Sequence, residues 1–377
     1  MLIDYETLRL VWWALLGILL IGFVMTDGFD LGAAILLPFI GRSDLERRIV
    51  INSIGPVWEG NQVWLLLGAG ASFAAWPFLY AAAFSGFYIA MLLALGGLII
   101  RPVAFKFRSK IEAPLWRQFW DWSLCLGGLA PTVIFGVAFG NLFQGVNFTF
   151  NEELRFEPHI GFFSLLNPFG LFTGLVSLIM VTLHGAAWLN YKSTGAVAQR
   201  ARRLLPLLSC LLILSYILAG MWLAQLDGYR ITSAVVGDGP SNPMLKTVVR
   251  APGEWLAIFI NEPVWNILPA LGFLGAIIAA VAARYPVVAL FGSALVPLGL
   301  IGSVGRALFP FLLPSSRNPN ASLTVWDSSS SQGTLFTMLI AVILFLPVVL
   351  LYTAWIYRVL RGQIDTRHIE GARDLPY

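Results

Sequence analysis

The run Gly22-Phe23-Val24-Met25-Thr26-Asp27-Gly28-Phe29-Asp30-Leu31-Gly32 lies inside one long apolar stretch, and Trp58-Glu59-Gly60-Asn61-Gln62-Val63-Trp64 comes early in the next. Apolar runs of this length read as membrane-spanning helices, yet these two carry three acids. A carboxylate in a bilayer core costs about 2.5 to 3.5 kcal/mol on insertion scales, so it faces a bundle interior or water rather than lipid. Asp27, Asp30 and Glu59 therefore point to a proton or ion route. The alternative is that Asp27 and Asp30 sit near a helix end and are simply hydrated.

Composition carries the membrane reading to the whole chain. Of 377 residues, 58% are hydrophobic and 12% charged, which no ordinary soluble domain shows. Repeated apolar runs of about 20 residues favour helices over alternating strands, so the expected fold is an all-α polytopic membrane protein, one integral membrane domain over residues 1–377. The net charge of +4 is small and forms no basic patch with interleaved aromatics, which excludes nucleic acid as a partner. Cys125 and Cys210 fall in apolar runs outside any Cys-x-x-Cys pattern and read as packed thiols. The fourteen tryptophans, among them Trp12, Trp13, Trp76, Trp116, Trp120 and Trp122, crowd span ends and read as interfacial anchors.

About nine candidate spans can be drawn, near 10–38, 50–74, 77–101, 119–143, 162–190, 204–226, 263–283, 286–312 and 333–360. The first has no basic leader and no small-residue cleavage site, so it reads as uncleaved. Asp227 to Glu262 is polar, punctuated by Gly and Pro, and reads as a surface loop. Basic residues alternate between connections. Arg42, Arg47 and Arg48 follow the first span; Lys106, Arg108, Lys110 and Arg117 the third; Lys192, Arg200, Arg202 and Arg203 the fifth; Arg358, Arg361, Arg367 and Arg373 the ninth. That bias predicts a multi-pass protein with its N-terminus outside and its C-terminus in the cytoplasm.

On this orientation Asp30 lies roughly 9 Å to the cytoplasmic side of the first span's midpoint, and Glu59 falls in the inner half of the second. Arg101 would close the third span at the same surface, just before Pro102. Asp27 and Asp30, three apart, share one helix face; Trp58, Glu59, Asn61 and Gln62 can line a neighbouring one. Four ionisable groups thus share one predicted pocket. Arg101 has two readings, a counter-charge for Asp30 or Glu59 or a snorkelling anchor. His159 and His368 lie outside the spans, and His184 alone lies within one. A single such histidine could ligate one haem, but more often it is a hydrogen-bonded core residue. From the residues alone, a proton-coupled transporter or channel competes with a redox-complex subunit, although no matched pair of Gly or Pro breaks favours the transporter.

Several ordered motifs together resemble one family. They are Thr26-Asp27-Gly28-Phe29-Asp30-Leu31-Gly32, the Trp58–Trp64 run quoted above, Ala83-Phe84-Ser85-Gly86-Phe87-Tyr88, Leu166-Asn167-Pro168-Phe169-Gly170-Leu171, Pro314-Ser315-Ser316, and Asn320-Ala321-Ser322-Leu323-Thr324-Val325-Trp326-Asp327. The set resembles subunit II of cytochrome bd ubiquinol oxidase, including its cyanide-insensitive branch, over nearly the whole chain. The resemblance implies a bacterial inner-membrane terminal oxidase that oxidises quinol and reduces dioxygen to water in aerobic electron transport. It implies two four-helix bundles plus one extra helix, and no complete catalytic centre in this chain. Haems b and d would belong to the partner, subunit I; small single-span accessory subunits and a structural quinone in this chain occur in some members. The family's proton channel carries over onto Asp30, Trp58 and Glu59, with Asp27 and Arg101 beside them. Glu59 stands where the family pattern has aspartate, which keeps the carboxylate but lengthens its arm by about one methylene.

Overall fold

The computed structural model describes residues 3–365; Arg367, His368 and Arg373 of the sequence reading lie outside the described residues. Twelve α-helices follow one another: α1 (Tyr5–Ile40), α2 (Asp44–Ile54), α3 (Trp58–Ala75), α4 (Pro77–Gly86), α5 (Tyr88–Phe107), α6 (Pro114–Gln144), α7 (Pro168–Lys192), α8 (Gly195–Leu223), α9 (Glu254–Asn261), α10 (Ile267–Val281), α11 (Pro286–Leu308) and α12 (Gln332–Val359). Among the described residues, eight helical segments are long and apolar enough to cross a membrane. The chain is thus an all-α polytopic membrane protein, with three short antiparallel strand pairs in the connections among the described residues.

Two expected spans differ from their sequence bounds, for local reasons. The run 50–74 breaks around Gly55-Pro56 into α2 and the 18-residue α3. Glu59, Asn61 and Gln62 dilute the apolar character of α3. The run 77–101 breaks at Phe87 (φ −97°, ψ 22°), and the span proper runs from Tyr88 to Lys110. Pro102 therefore sits inside α5 instead of ending it. Arg101 is correspondingly an interior residue of the span, not its closing one.

Helix α1 is the axis of the packing. It lies against α3, α6, α7 and α11, and most of its second half is buried. Its approach to α7 depends on glycine facing glycine: a Cβ on Gly32 would stand 2.1 Å from the Val181 carbonyl oxygen, and one on Gly185 2.3 Å from the Gly32 carbonyl carbon. Backbone cannot yield cheaply, so both positions need hydrogen as side chain.

One end of the bundle gathers the arginines. Asp121, fully buried, accepts from Arg47 and Arg108, and Asp44 accepts from Arg108 and Arg117. Arg200 of α8 reaches Glu46 of α2 and the Ile40 carbonyl at the end of α1. The Arg200 hydrogen bonds hold the Glu46 carboxyl below its usual range. At the opposite end the connection 227–262 is more than a surface loop. Its hairpin, Asp227–Ile231 paired with Val248–Pro252, brings Tyr229 against Phe311, and α9 just after it brings Trp255 against Phe143. Arg9 ties the N-terminal turn to the same end through the carbonyls of Gly237 and Gly239. Trp12 and Trp76, expected as interfacial anchors, are buried here and donate to the carbonyls of Leu335 and Val325. Of the two thiols, Cys125 is buried and donates to the Ile35 carbonyl, whereas Cys210 faces outward.

Candidate functional site

Three helices converge on one face of α1 halfway along the buried half. Asp27 and Asp30, one helical turn apart, are both 0% exposed, and each has a different partner. The Arg101 guanidinium of α5 donates two parallel bonds to Asp27, at 2.6 Å to Oδ1 and 2.9 Å to Oδ2. Bidentate geometry of this kind combines two charge-assisted bonds with fixed orientation. Arg101 is itself 1% exposed, so the pair is buried and self-neutralising. Arg101 thus serves as the counter-charge of Asp27, and the snorkelling reading does not describe it.

Asp30 is left as the carboxylate without a cation of its own. Its Oδ2 accepts from Asn61 Nδ2 of α3 at 2.7 Å, and Asn61 Oδ1 in turn accepts from the Tyr357 hydroxyl of α12 at 2.7 Å. Asp30 Oδ1 is buried with no hydrogen-bond partner among the described residues. Trp58 Nε1 shares that condition; its ring is buried and stacks on Phe105 at 5.7 Å. Buried polar atoms are nearly always partnered, and the exceptions cluster where water, ions or chemistry come in.

Glu59 departs from the expected pocket. It is exposed on the outer side of α3, whereas Asn61, two residues on, turns inward to Asp30. Residues two apart on a helix point in different directions, so one short motif cannot place Glu59 and Asn61 in the same cavity. The structure brings Asp27, Asp30, Arg101 and Trp58 to the interior and leaves Glu59 at the surface. Tyr357 was not legible as a site residue. Beside Tyr352, Trp355 and Arg358 it reads as one more interfacial aromatic.

His184 tests whether this chain can hold a haem. Its Nε2 meets the Met25 carbonyl at 3.0 Å and its Nδ1 the Ser293 hydroxyl at 2.8 Å, while Phe29 packs edge-on to the ring. A carbonyl only accepts, so Nε2 carries the proton, and Nδ1 lies at hydrogen-bond distance from the Ser293 hydroxyl, which also reaches the Leu290 carbonyl at 2.8 Å. Both nitrogens are engaged, and His184 does not fit as an axial ligand. His159 is exposed in a connection. Chemically the site is a buried carboxylate, Asp30, beside a neutralised ion pair, which suits holding and passing a proton rather than electrons.

Residues 8–360 match the family described as cytochrome bd terminal oxidase subunit II. The chain is 48% identical to a probable cytochrome oxidase subunit 2 of Haemophilus influenzae and 47% identical to the cytochrome bd-I ubiquinol oxidase subunit 2 of Escherichia coli, each over 98% of both chains. It is 31% identical to the cytochrome bd ubiquinol oxidase subunit 2 of Bacillus subtilis over 94% of this chain and 96% of the relative. Its fold is similar to that of a chain of the bd oxidase from Geobacillus thermodenitrificans, with a TM-score of 0.70 and 18% identity over 94% of this chain and 98% of the other.

Proposed function

The chain belongs to the cytochrome bd terminal oxidase subunit II family, and from that premise we propose that it is the second, non-haem subunit of a bacterial quinol:oxygen oxidoreductase. In this reading it scaffolds the haem-bearing subunit I, shields it from lipid, and supplies an acid-lined route by which protons enter from the cytoplasm. The arginine-rich end faces the cytoplasm and the N-terminus the periplasm. Haems b and d sit in the partner, in keeping with a His184 whose nitrogens are both engaged.

The observation that carries the proton route is Asp30, a fully buried carboxylate with one oxygen unpartnered, beside an Asp27 that Arg101 already neutralises. A proton arriving at Asp30 Oδ1 neutralises the one uncompensated charge and leaves by breaking the same O–H bond. Asp27 and Arg101 hold the local field constant while it does so. Glu59, exposed on α3 beside the buried Trp58, serves as the mouth of the route on the face that meets the partner.

In the intact complex, Asp30→Asn and Glu59→Gln should each slow quinol-driven oxygen consumption by about tenfold or more while the reduced-minus-oxidised haem spectrum stays at its normal intensity. Normal turnover in Asp30→Asn would overturn the relay, and normal turnover in Glu59→Gln alone would overturn Glu59 as its mouth.

A further inference from the structure

The C-terminal helix reaches into the Asp30 site through a side-chain hydrogen bond from Tyr357 to Asn61, across 296 positions of sequence. An amide can present either its carbonyl or its NH2 to a neighbour, and its neighbours decide which. Here the Tyr357 hydroxyl donates to Asn61 Oδ1, so the NH2 faces Asp30 and donates to Oδ2. Asn61 is 2% exposed, and the Tyr357 ring is half-buried edge-on to Trp188, 6.3 Å between centroids. Trp188 is fixed in turn by stacking on Phe29 at 4.0 Å and by donating to the Ser53 carbonyl. The hydroxyl is therefore aimed by the packing of α1, α7 and α12.

We propose that Tyr357 is a positioning residue for proton transfer at Asp30: by locking the Asn61 amide it caps Oδ2 and leaves Oδ1 as the oxygen that takes and releases the proton. The proposal rests on the reading of Asp30 as a relay. The step balances simply, since a hydronium ion or water chain of the route gives up a proton, an O–H bond forms at Oδ1, and the carboxylate is regenerated when that bond breaks toward the next water. Asn61 carries no proton. Its NH2 can meet an ionised Asp30, or one protonated on Oδ1, without rearranging.

Removing the Tyr357 hydroxyl frees the amide to turn its carbonyl to Asp30, which favours a protonated Oδ2 and holds the proton on the wrong oxygen. The titratable groups that bear on Asp30 are few. Asp27 is paired with Arg101 of α5; Tyr357 comes from α12; Glu59 of α3 is at the surface; His184 of α7 is held by Met25 and Ser293; Asp121 of α6 is held by Arg47 and Arg108. At the arginine-rich end Asp44 and Glu46 of α2 are ion-paired, the latter with Arg200 of α8.

The test uses the two-subunit complex with Tyr357→Phe, which keeps the ring packing and deletes only the hydroxyl. Haem content should be unchanged, quinol-driven oxygen consumption should fall by about two- to tenfold, the worth of one ordinary hydrogen bond, and the acid limb of the pH–rate profile should move to higher pH. Asn61→Leu should reproduce that movement, and the double variant should go no further than Asn61→Leu alone, because both act through one contact. An unaltered rate and profile in Tyr357→Phe, or additive effects in the double variant, would overturn the lock. Asp30→Asn run alongside separates the two readings. If it turns over normally the relay itself fails, and if it is slow while Tyr357→Phe behaves as wild type only the lock fails.

Discussion

At the scale of single residues, the ion pair of Asp27 and Arg101 is where burial and charge meet most directly. Removing one partner of a buried pair strands the other, at about 3–5 kcal/mol, whereas replacing both by apolar groups is often close to neutral. Arg101→Met should therefore lower the thermal midpoint of the complex sharply, and Asp27→Leu/Arg101→Met should recover most of it. A midpoint unmoved by Arg101→Met, followed by differential scanning fluorimetry in detergent, would contradict the buried geometry. The sequence made it plain that Asp27 and Asp30 share a face, because three residues is close to one helical turn. It did not reveal which of the two Arg101 would neutralise. That choice depends on how α5 is placed and rotated against α1, and Arg101 is interior to the span only because α5 continues through Pro102, against the local preference of a proline. Nor did sequence separate Glu59 from Asn61, since the rotation of α3 about its axis is set by what it packs against.

At the scale of helices, the close crossing of α1 and α7 at Gly32 and Gly185 places the acidic face of α1 toward α3 and α5. Gly32→Val would drive a side chain into the Val181 carbonyl and separate the two helices. Overpacking of this kind costs about 1–3 kcal/mol when side chains can adjust, and here the obstacle is backbone. The yield of assembled complex after affinity purification should fall several-fold for Gly32→Val. Gly17→Ala, on the same helix with nothing within 4 Å of the added carbon, should match wild type. Equal yields would show that the crossing tolerates separation. Most long apolar helices were legible in the sequence within a few residues of their ends, because hydrophobic length is a local property. The breaks at Gly55-Pro56 and Phe87 shifted two spans, and a hydropathy window averages across such breaks.

At the scale of the molecule, the engaged His184 and the outward apolar faces of α5 and α12 bear on the proposed place of this chain beside a haem-bearing partner. Leu92, Leu93, Ile99 and Ile100 on α5, and Ile343, Leu344, Leu351 and Trp355 on α12, are exposed in the isolated chain, as befits surfaces for lipid or another membrane subunit. On the proposal that the haems belong to subunit I, His184→Ala should leave the reduced-minus-oxidised spectrum of the complex unchanged in band position and intensity, and the chain purified without subunit I should show no haem bands. A band lost in His184→Ala would return a cofactor to this chain. Composition and apolar run length determined that the chain is a polytopic helical membrane protein, and its ordered motifs carried the family, because both are properties of neighbouring residues. Only the tertiary structure decided that Arg101 neutralises Asp27, that Asp30 keeps a free oxygen, that Glu59 faces outward and that Tyr357 reaches Asn61. Each of those depends on how helices far apart in sequence are rotated and packed against α1, and no local pattern encodes that rotation.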